Sequence, residues 1–286
     1  MNTILLFILL ILFGFLFATT PQTRFVVRMA VLILLIPVAT TYAMIACIVM
    51  PLIGMDRDGN PQLAWAYKHL CNWFLPIRVE LVGNTEFDER RPAVFICNHQ
   101  SEMDFVAMSN AFPKKAVILA KESIKYIPFM GWYMSLAGNV FINRSNRGSA
   151  IETMSKVAKT LKEKKVGVFM FPEGTRSRQT TNEMLPLKKG AFVLAIQGQI
   201  PIQPMVVSSY HSLYNIKNLL FEGGVIRIKV LPPIETKGLT MDDMDQLIAS
   251  TSKLMSDTLV EISEPAPTWA KPLKIKDSGS SKKKAE

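Results

Sequence analysis

His99 and Asp104 stand five positions apart in the stretch Val-Phe-Ile-Cys-Asn-His-Gln-Ser-Glu-Met-Asp that runs from Val94 to Asp104. An imidazole exchanges a proton near neutral pH. A carboxylate bonded to one ring nitrogen fixes its tautomer and orientation and leaves the other nitrogen free to take a proton. The chemistry that such a pair offers is general-base catalysis. Taken alone, the spacing also fits a histidine that merely ends a strand and an acid that stabilises a helix N-terminus.

The surrounding elements must be ones that display the pair. Val94 to Cys97 is an apolar run with strand-like side chains, and Ser101 to Asn110 reads as a helix that follows it. Asp104 then lies about a turn into that helix, from where it can reach back to the imidazole. Elsewhere, Leu63 to Phe74 reads as an amphipathic helix ended by Pro76. Strands are expected at Ile77 to Val82, Ala116 to Ala120, Val140 to Ile142, Val166 to Phe171, Ile202 to Val207 and Val225 to Val230. Further helices are expected at Pro128 to Ala137, Ser149 to Lys164, Gly190 to Gln197 and Thr240 to Ile262, the last with Asp243 in capping position to Thr240. Strand and helix alternate. The expected fold class is therefore α/β, a mixed, mostly parallel sheet covered by helices.

Three further stretches sit where strands end or begin. Phe171-Pro172-Glu173-Gly174-Thr175-Arg176-Ser177 follows a buried strand. Gly174 permits close approach of a backbone, Arg176 offers a planar fork of donors suited to phosphate, and Glu173 is suited to accept from a hydroxyl or to hold that arginine. A plain surface turn has the same composition. Phe141-Ile142-Asn143-Arg144 likewise ends a strand in an arginine, for which a solvated position is the simpler reading. In Ile200 to Pro204, the prolines Pro201 and Pro204 restrict the following strand to a sheet edge or to its first residues.

Two apolar runs precede the α/β part, Ile4 to Ala18 and Met29 to Leu52. The second is ample and the first marginal against the roughly 20 residues that a bilayer span requires. No basic region precedes the first run and no clear small-x-small cleavage site follows it, which favours a retained membrane helical hairpin over a cleaved leader. Arg24 and Arg28 between the runs, with Arg57 and Lys68 after them, leave the orientation open. The expected organisation is an anchoring hairpin at 1–54, a catalytic domain at 55–264 and a basic tail at 265–286.

The net charge is +10, of which the tail from Lys271 supplies +4, six lysines against Asp277 and Glu286. A basic body held at a membrane favours anionic partners, lipid head groups or phosphorylated substrates. No nucleic-acid-binding signature is present. The cysteines Cys47, Cys71 and Cys97 form no C-x-x-C pair, which fits a reducing compartment. The histidines His69, His99 and His211 lie in no metal-binding motif, so no metal or cofactor is expected.

The stretches Asn98 to Asp104, Phe141 to Arg144, Phe171 to Ser177 and Ile200 to Pro204 resemble, in order and spacing, the four sequence blocks of the glycerolipid acyltransferase family. Lys121 to Trp132 and Leu187 to Phe192, between those blocks, look like its 1-acyl-glycerol-3-phosphate acyltransferase branch. The resemblance covers about Asn60 to Ile262. It implies transfer of an acyl group from acyl-CoA, a co-substrate, to the sn-2 hydroxyl of 1-acyl-glycerol 3-phosphate (lysophosphatidic acid), giving phosphatidic acid. It makes His99 the general base and Asp104 its orienting group. Arg144 and Arg176 become candidates for the acceptor phosphate, Glu173, Gly174 and Thr175 shape that site, and Lys121 and Lys188 are additional charges. Membrane lipids are implied as partners. The ending Lys283-Lys284-Ala285-Glu286 resembles the dilysine retrieval signal of endoplasmic-reticulum membrane proteins, which implies an active site at the cytosolic face. Glycerol 3-phosphate or another lysophospholipid as acceptor, or a non-catalytic lipid-binding protein of the same fold, are the alternatives. A serine hydrolase acting through Ser101 is disfavoured, because no G-x-S-x-G elbow appears.

Overall fold

The computed structural model describes residues 20–265, apart from 56–58, 84–86, 88–91, 143–153, 155–156, 162 and 179. The first apolar run, Arg144 and the lysine-rich tail lie outside the described residues.

The chain opens with α1 (Pro21–Leu52) and α2 (Gly59–Phe74), then β1 (Ile77–Val82) and β2 (Val94–Cys97). Next come α3 (Asp104–Met108), β3 (Ala116–Lys121), a 3-10 turn (Glu122–Tyr126), α4 (Met130–Leu136), β4 (Val140–Ile142) and β5 (Gly167–Met170). After these follow α5 (Gly190–Gly198), β6 (Ile202–Val207), the short pair β7 (Tyr214–Asn215) and β8 (Leu220–Phe221), β9 (Gly224–Val230) and α6 (Met244–Ile262). Seven strands form one sheet in the order β1-β9-β6-β2-β5-β3-β4. Every neighbouring pair is parallel except β6 with β9. The sheet is thus mixed and mostly parallel, as the alternation of elements requires.

The central strands β2 and β5 are apolar and buried throughout because both faces of the sheet are covered there. In β2, Phe95 and Cys97 enter a core shared with α1, α2 and α3, whereas Val94 and Ile96 face the core under α5 and α6. Residues 157–161 are helical and add Val157, Ala158 and Leu161 to that second core, the part of the expected helix from Ser149 that falls among the described residues.

Pro204 lies inside the sheet rather than at an edge. β6 pairs on one side with β2 and on the other with β9. The β9 ladder covers Met205 to Val207, and Ile202 pairs separately with Ile234, three residues against four. That mismatch is a bulge, and a bulge is where a central strand tolerates a residue without an N–H.

Helix α1 starts at a proline in the first helical position, with the preceding Thr20 accepting from the Thr23 N–H at 3.2 Å. It is long and apolar enough to cross a membrane. Arg24 and Arg28 lie inside it and bind Glu222 beside β8 at 3.0 and 3.3 Å, instead of forming a connection between two spans. One stripe, including Phe25, Leu32, Leu35 and Ala39, joins the same core as Phe95 and Ile228. The opposite stripe, including Val26, Ile33, Ile45 and Ile48, is exposed.

Candidate active site

β2, β5, β3 and β4 run parallel, so the loops after them emerge at one edge of the sheet, where open α/β folds assemble their sites. The residues singled out by sequence follow these strands: His99 after β2, Glu173 to Ser177 after β5 and Lys121 at the end of β3. Arg144 comes two positions after β4 in sequence.

Where β2 ends, Asn98 takes over its hydrogen bonding with a side chain. Its amide donates to the Val207 carbonyl at 2.9 Å and its oxygen accepts from the Val207 N–H at 2.8 Å. The backbone then leaves the sheet with His99 presented at a fixed point. Asp104 is the first residue of α3, a helix of five residues that is shorter than its apolar pattern suggests. Its Oδ2 lies 2.7 Å from His99 Nδ1 and accepts from the N–H groups of Gln100 and Ser101 at 2.7 and 3.1 Å. One carboxylate therefore holds the histidine and satisfies the turn before the helix. Asp104 is 1% exposed, and charge so deeply buried stands only when fully hydrogen-bonded. The fourth donor is the hydroxyl of Tyr210, 2.5 Å from Oδ1. Ser101 Oγ, 3.0 Å from that hydroxyl, also accepts from the Met103 N–H and is part of this support.

The imidazole is fixed on its face as well, stacked on Phe171 with ring centroids 3.9 Å apart and planes 14° from parallel. With Nδ1 held by Asp104, Nε2 is the nitrogen available for a proton; no described residue bonds it.

Glu173 does not hold Arg176. It is buried, with Oε1 accepting from the His99 N–H at 2.6 Å and Oε2 from the Leu185 N–H at 3.0 Å. Burial pushes its carboxyl up to about 7, partly offset by those two hydrogen bonds. The turn after β5 is tied to the His99 loop by two more bonds, Ser177 N–H to the His99 carbonyl at 2.8 Å and Arg178 N–H to the Gln100 carbonyl at 2.9 Å. Glu173 points inward at the root of the turn, whereas Arg176 is three residues out on its rim. There Arg176 binds Glu102 at 2.5 Å. Gly174 has φ +71°, and Lys188 lies so close that a Cβ at this position would meet its Nζ at 2.8 Å. Lys188 is thereby brought to the turn, Thr175 is exposed at its tip, and Lys121 is exposed at the end of β3.

Tyr210 and Glu102 are among the site residues that sequence reasoning did not identify. Glu102 lies between His99 and Asp104 in the chain but has no local partner, and Tyr210 is 106 positions from Asp104. Spacing reveals neither.

Phe171 also lines an apolar cleft of about 100 Å³, walled by Ile36, Thr40, Leu63 and Tyr67 from the first two helices, by Phe105 and Met108 from α3 and by Phe169 from β5. The arrangement is a histidine with an oriented ring, an apolar slot against its stacking partner, and a rim of cations.

The sequence matches the Acyltransferase family over residues 78–208. It is 39% identical over 221 residues to the 1-acyl-sn-glycerol-3-phosphate acyltransferase of Saccharomyces cerevisiae, covering 77% of this chain and 73% of the relative. It is 38% identical over 221 residues to the human 1-acyl-sn-glycerol-3-phosphate acyltransferase alpha, covering 77% of each. The crystal structure of PlsC, the 1-acyl-sn-glycerophosphate (LPA) acyltransferase of Thermotoga maritima, shares the fold, with a TM-score of 0.58 at 23% identity over 83% of this chain and 97% of that one. The chain therefore belongs to the 1-acyl-sn-glycerol-3-phosphate acyltransferase family and is a glycerolipid acyltransferase.

Proposed function

We propose that the protein transfers an acyl group from acyl-CoA to the sn-2 hydroxyl of 1-acyl-glycerol 3-phosphate, producing phosphatidic acid and free CoA. The observation that carries this reading is the Nδ1 contact of His99 with buried Asp104 beside a cleft that suits an acyl chain. Nε2 of His99 removes the hydroxyl proton as the oxygen attacks the thioester carbon. The C–S bond then breaks, and the imidazolium returns its proton to the CoA thiolate. Asp104 steadies the charge that forms on the ring without taking the proton. No serine nucleophile is required, and Ser101 is engaged in supporting Asp104.

Arg176, with Lys188 beside Gly174, receives the acceptor phosphate at the rim, and Arg144 is assigned to the same task from its place after β4. Thr175 and Lys121 extend that rim. Segment 1–54 serves as the anchor and 55–264 as the catalytic part. The exposed stripe of α1 together with Trp73, Tyr126 and Trp132, which are 84%, 76% and 57% exposed, suits a face against lipid. Both acyl chains then remain in the bilayer while phosphate and CoA stay in water. The endoplasmic-reticulum membrane, with the site at its cytosolic face, is the assigned location.

The test is acyl transfer by the purified protein in lipid micelles, with acyl-CoA and three acceptors in parallel: 1-acyl-glycerol 3-phosphate, glycerol 3-phosphate and 1-acyl-glycerophosphocholine. The first is expected to be used best, and equal use of all three would overturn the acceptor assignment. His99→Ala should lower kcat by about 10²–10⁴-fold, the usual contribution of a general base. Full activity in that variant would refute the mechanism.

A further inference from the structure

Glu102 occupies the arginines that the proposed function needs for phosphate. Its Oε1 receives Arg176 Nη1 at 2.5 Å and Arg178 Nη2 at 3.4 Å, and its Oε2 lies 3.3 Å from the Tyr214 hydroxyl. Two guanidinium groups converging on one anionic oxygen is the geometry that a phosphate oxygen takes. A notch lined by Gln100, Ser101, Glu102, Arg178, Tyr214 and Lys217 opens beside this cluster and adds a third cation. The pair is not sealed. The side chains of Glu102, Arg176 and Arg178 are 25%, 35% and 49% exposed. An ion pair that meets water contributes little to stability and exchanges readily with a better anion. A phosphate monoester, with about −1.5 to −2 charge and three terminal oxygens, is such an anion.

We propose that Glu102 is a built-in competitor for the acceptor's phosphate, a carboxylate that holds Arg176 and Arg178 together in the empty site and is displaced when the phosphate enters. This rests on the reading that Arg176 receives that phosphate. Glu102 belongs to the loop that carries His99 and Asp104, so its displacement takes place next to the catalytic pair. It also keeps two arginines from repelling one another while no substrate is bound. The cost falls on affinity, because the arginines accept phosphate only in the fraction of molecules in which Glu102 has released them.

The experiment measures the KM for 1-acyl-glycerol 3-phosphate and the inhibition constant of inorganic phosphate in the parent, Glu102→Gln, Arg176→Gln and the double variant. Glu102→Gln keeps the size and removes the charge. Both constants are expected to fall about three- to tenfold, the factor for a competitor engaged roughly 70–90% of the time. In the Arg176→Gln background, where only the longer contact to Arg178 remains to be released, the same change is expected to lower both constants by less than about twofold. A rise or no change in Glu102→Gln overturns the proposal, because Glu102 would then orient the arginines or be irrelevant to them. An equal fall in both backgrounds also overturns it, because that is a general charge effect. Should Glu102→Gln not accumulate, Glu102→Asp withdraws the carboxylate by one methylene and is expected to lower both constants by a smaller factor. Failure of the underlying reading looks different: Arg176→Gln alone would leave the acceptor KM unmoved.

Discussion

Tyr210→Phe isolates one hydroxyl on which the orientation of the dyad depends. The phenol is buried, and its O–H is the donor to Asp104 Oδ1 at 2.5 Å. Burial first, and the charge of Asp104 second, push its ionisation well above the usual phenol range, so it remains a donor at any working pH. Removing it leaves Oδ1 of a buried carboxylate without its donor. A hydrogen bond to a charged group contributes about 1.5–3 kcal/mol, and that is the expected loss of stability. For a domain of this size it lowers Tm by roughly 3–12 °C. The effect on rate is smaller, because three donors still hold Oδ2: His99 Nδ1–H and the N–H groups of Gln100 and Ser101. We expect kcat to fall roughly 5- to 20-fold, about 1–1.8 kcal/mol of barrier. The acceptor KM should hold, since Tyr210 supports the base and not the phosphate rim. Steady-state acyl transfer, normalised to the folded fraction from a thermal melt, reads both constants. Unchanged kcat would show that the three donors on Oδ2 suffice, and would refute the claim that Tyr210 positions the base. A rise in KM at constant kcat would refute it equally.

Glu173→Gln tests the buried carboxyl under the His99 loop. An amide offers one acceptor oxygen where two N–H groups must be met, so an N–H is left facing an NH₂ and stability drops by about 1–3 kcal/mol. The pH dependence adds a second sign. Because the carboxyl is raised to about 7 in the folded protein from an ordinary 4.5, the folded state binds its proton more tightly than the unfolded chain does. Its contribution is therefore greatest below 4.5 and is lost as pH rises to about 7, by up to about 3 kcal/mol. Thermal melts from pH 5 to pH 8 should show the advantage of the parent over Glu173→Gln shrinking through that window; a widening gap would reverse the assignment. Gly174→Ala should destabilise by about 1–2 kcal/mol, mainly through its φ of +71°, since the Lys188 side chain that a Cβ would meet is exposed and able to move. A melt of that variant unchanged from the parent would contradict the attribution to strain.

The fold was largely legible because its signals are local. Continuous apolar runs mark β2 and β5 as strands buried on both faces, and alternating elements impose a parallel sheet between helical layers. Boundaries were less legible: α2 begins at Gly59, four residues before its apolar stripe suggests, because packing against α1 extends it. Pro204 misled for a different reason. A missing N–H argues for an edge, and only the pairing of Ile202 with Ile234 reveals a bulge that accommodates it in the sheet interior. The apolar run of Met29 to Leu52 reads as a free span, but Leu32, Leu35 and Ala39 pack in the core of the globular part.

The site divides along the same line. His99 and Asp104 are close in sequence, and one turn of chain brings them to 2.7 Å. What makes that pair dependable is distant in sequence. Tyr210 arrives from the loop after β6, Glu173 from the turn after β5, and Phe171 from the first residue past β5, and each reaches the dyad through the order of strands in the sheet. Residue types at Glu173 and Arg176 suggest an ion pair, since opposite charges three positions apart can meet. The fold separates them by turning Glu173 inward to two backbone N–H groups and leaving Arg176 on the rim with Glu102. Burial decides between the two partners. A buried carboxylate must satisfy both oxygens locally, and the N–H groups of His99 and Leu185 do so without bringing a guanidinium into the core. Arg176 is thereby kept at the surface, where an incoming anion can reach it.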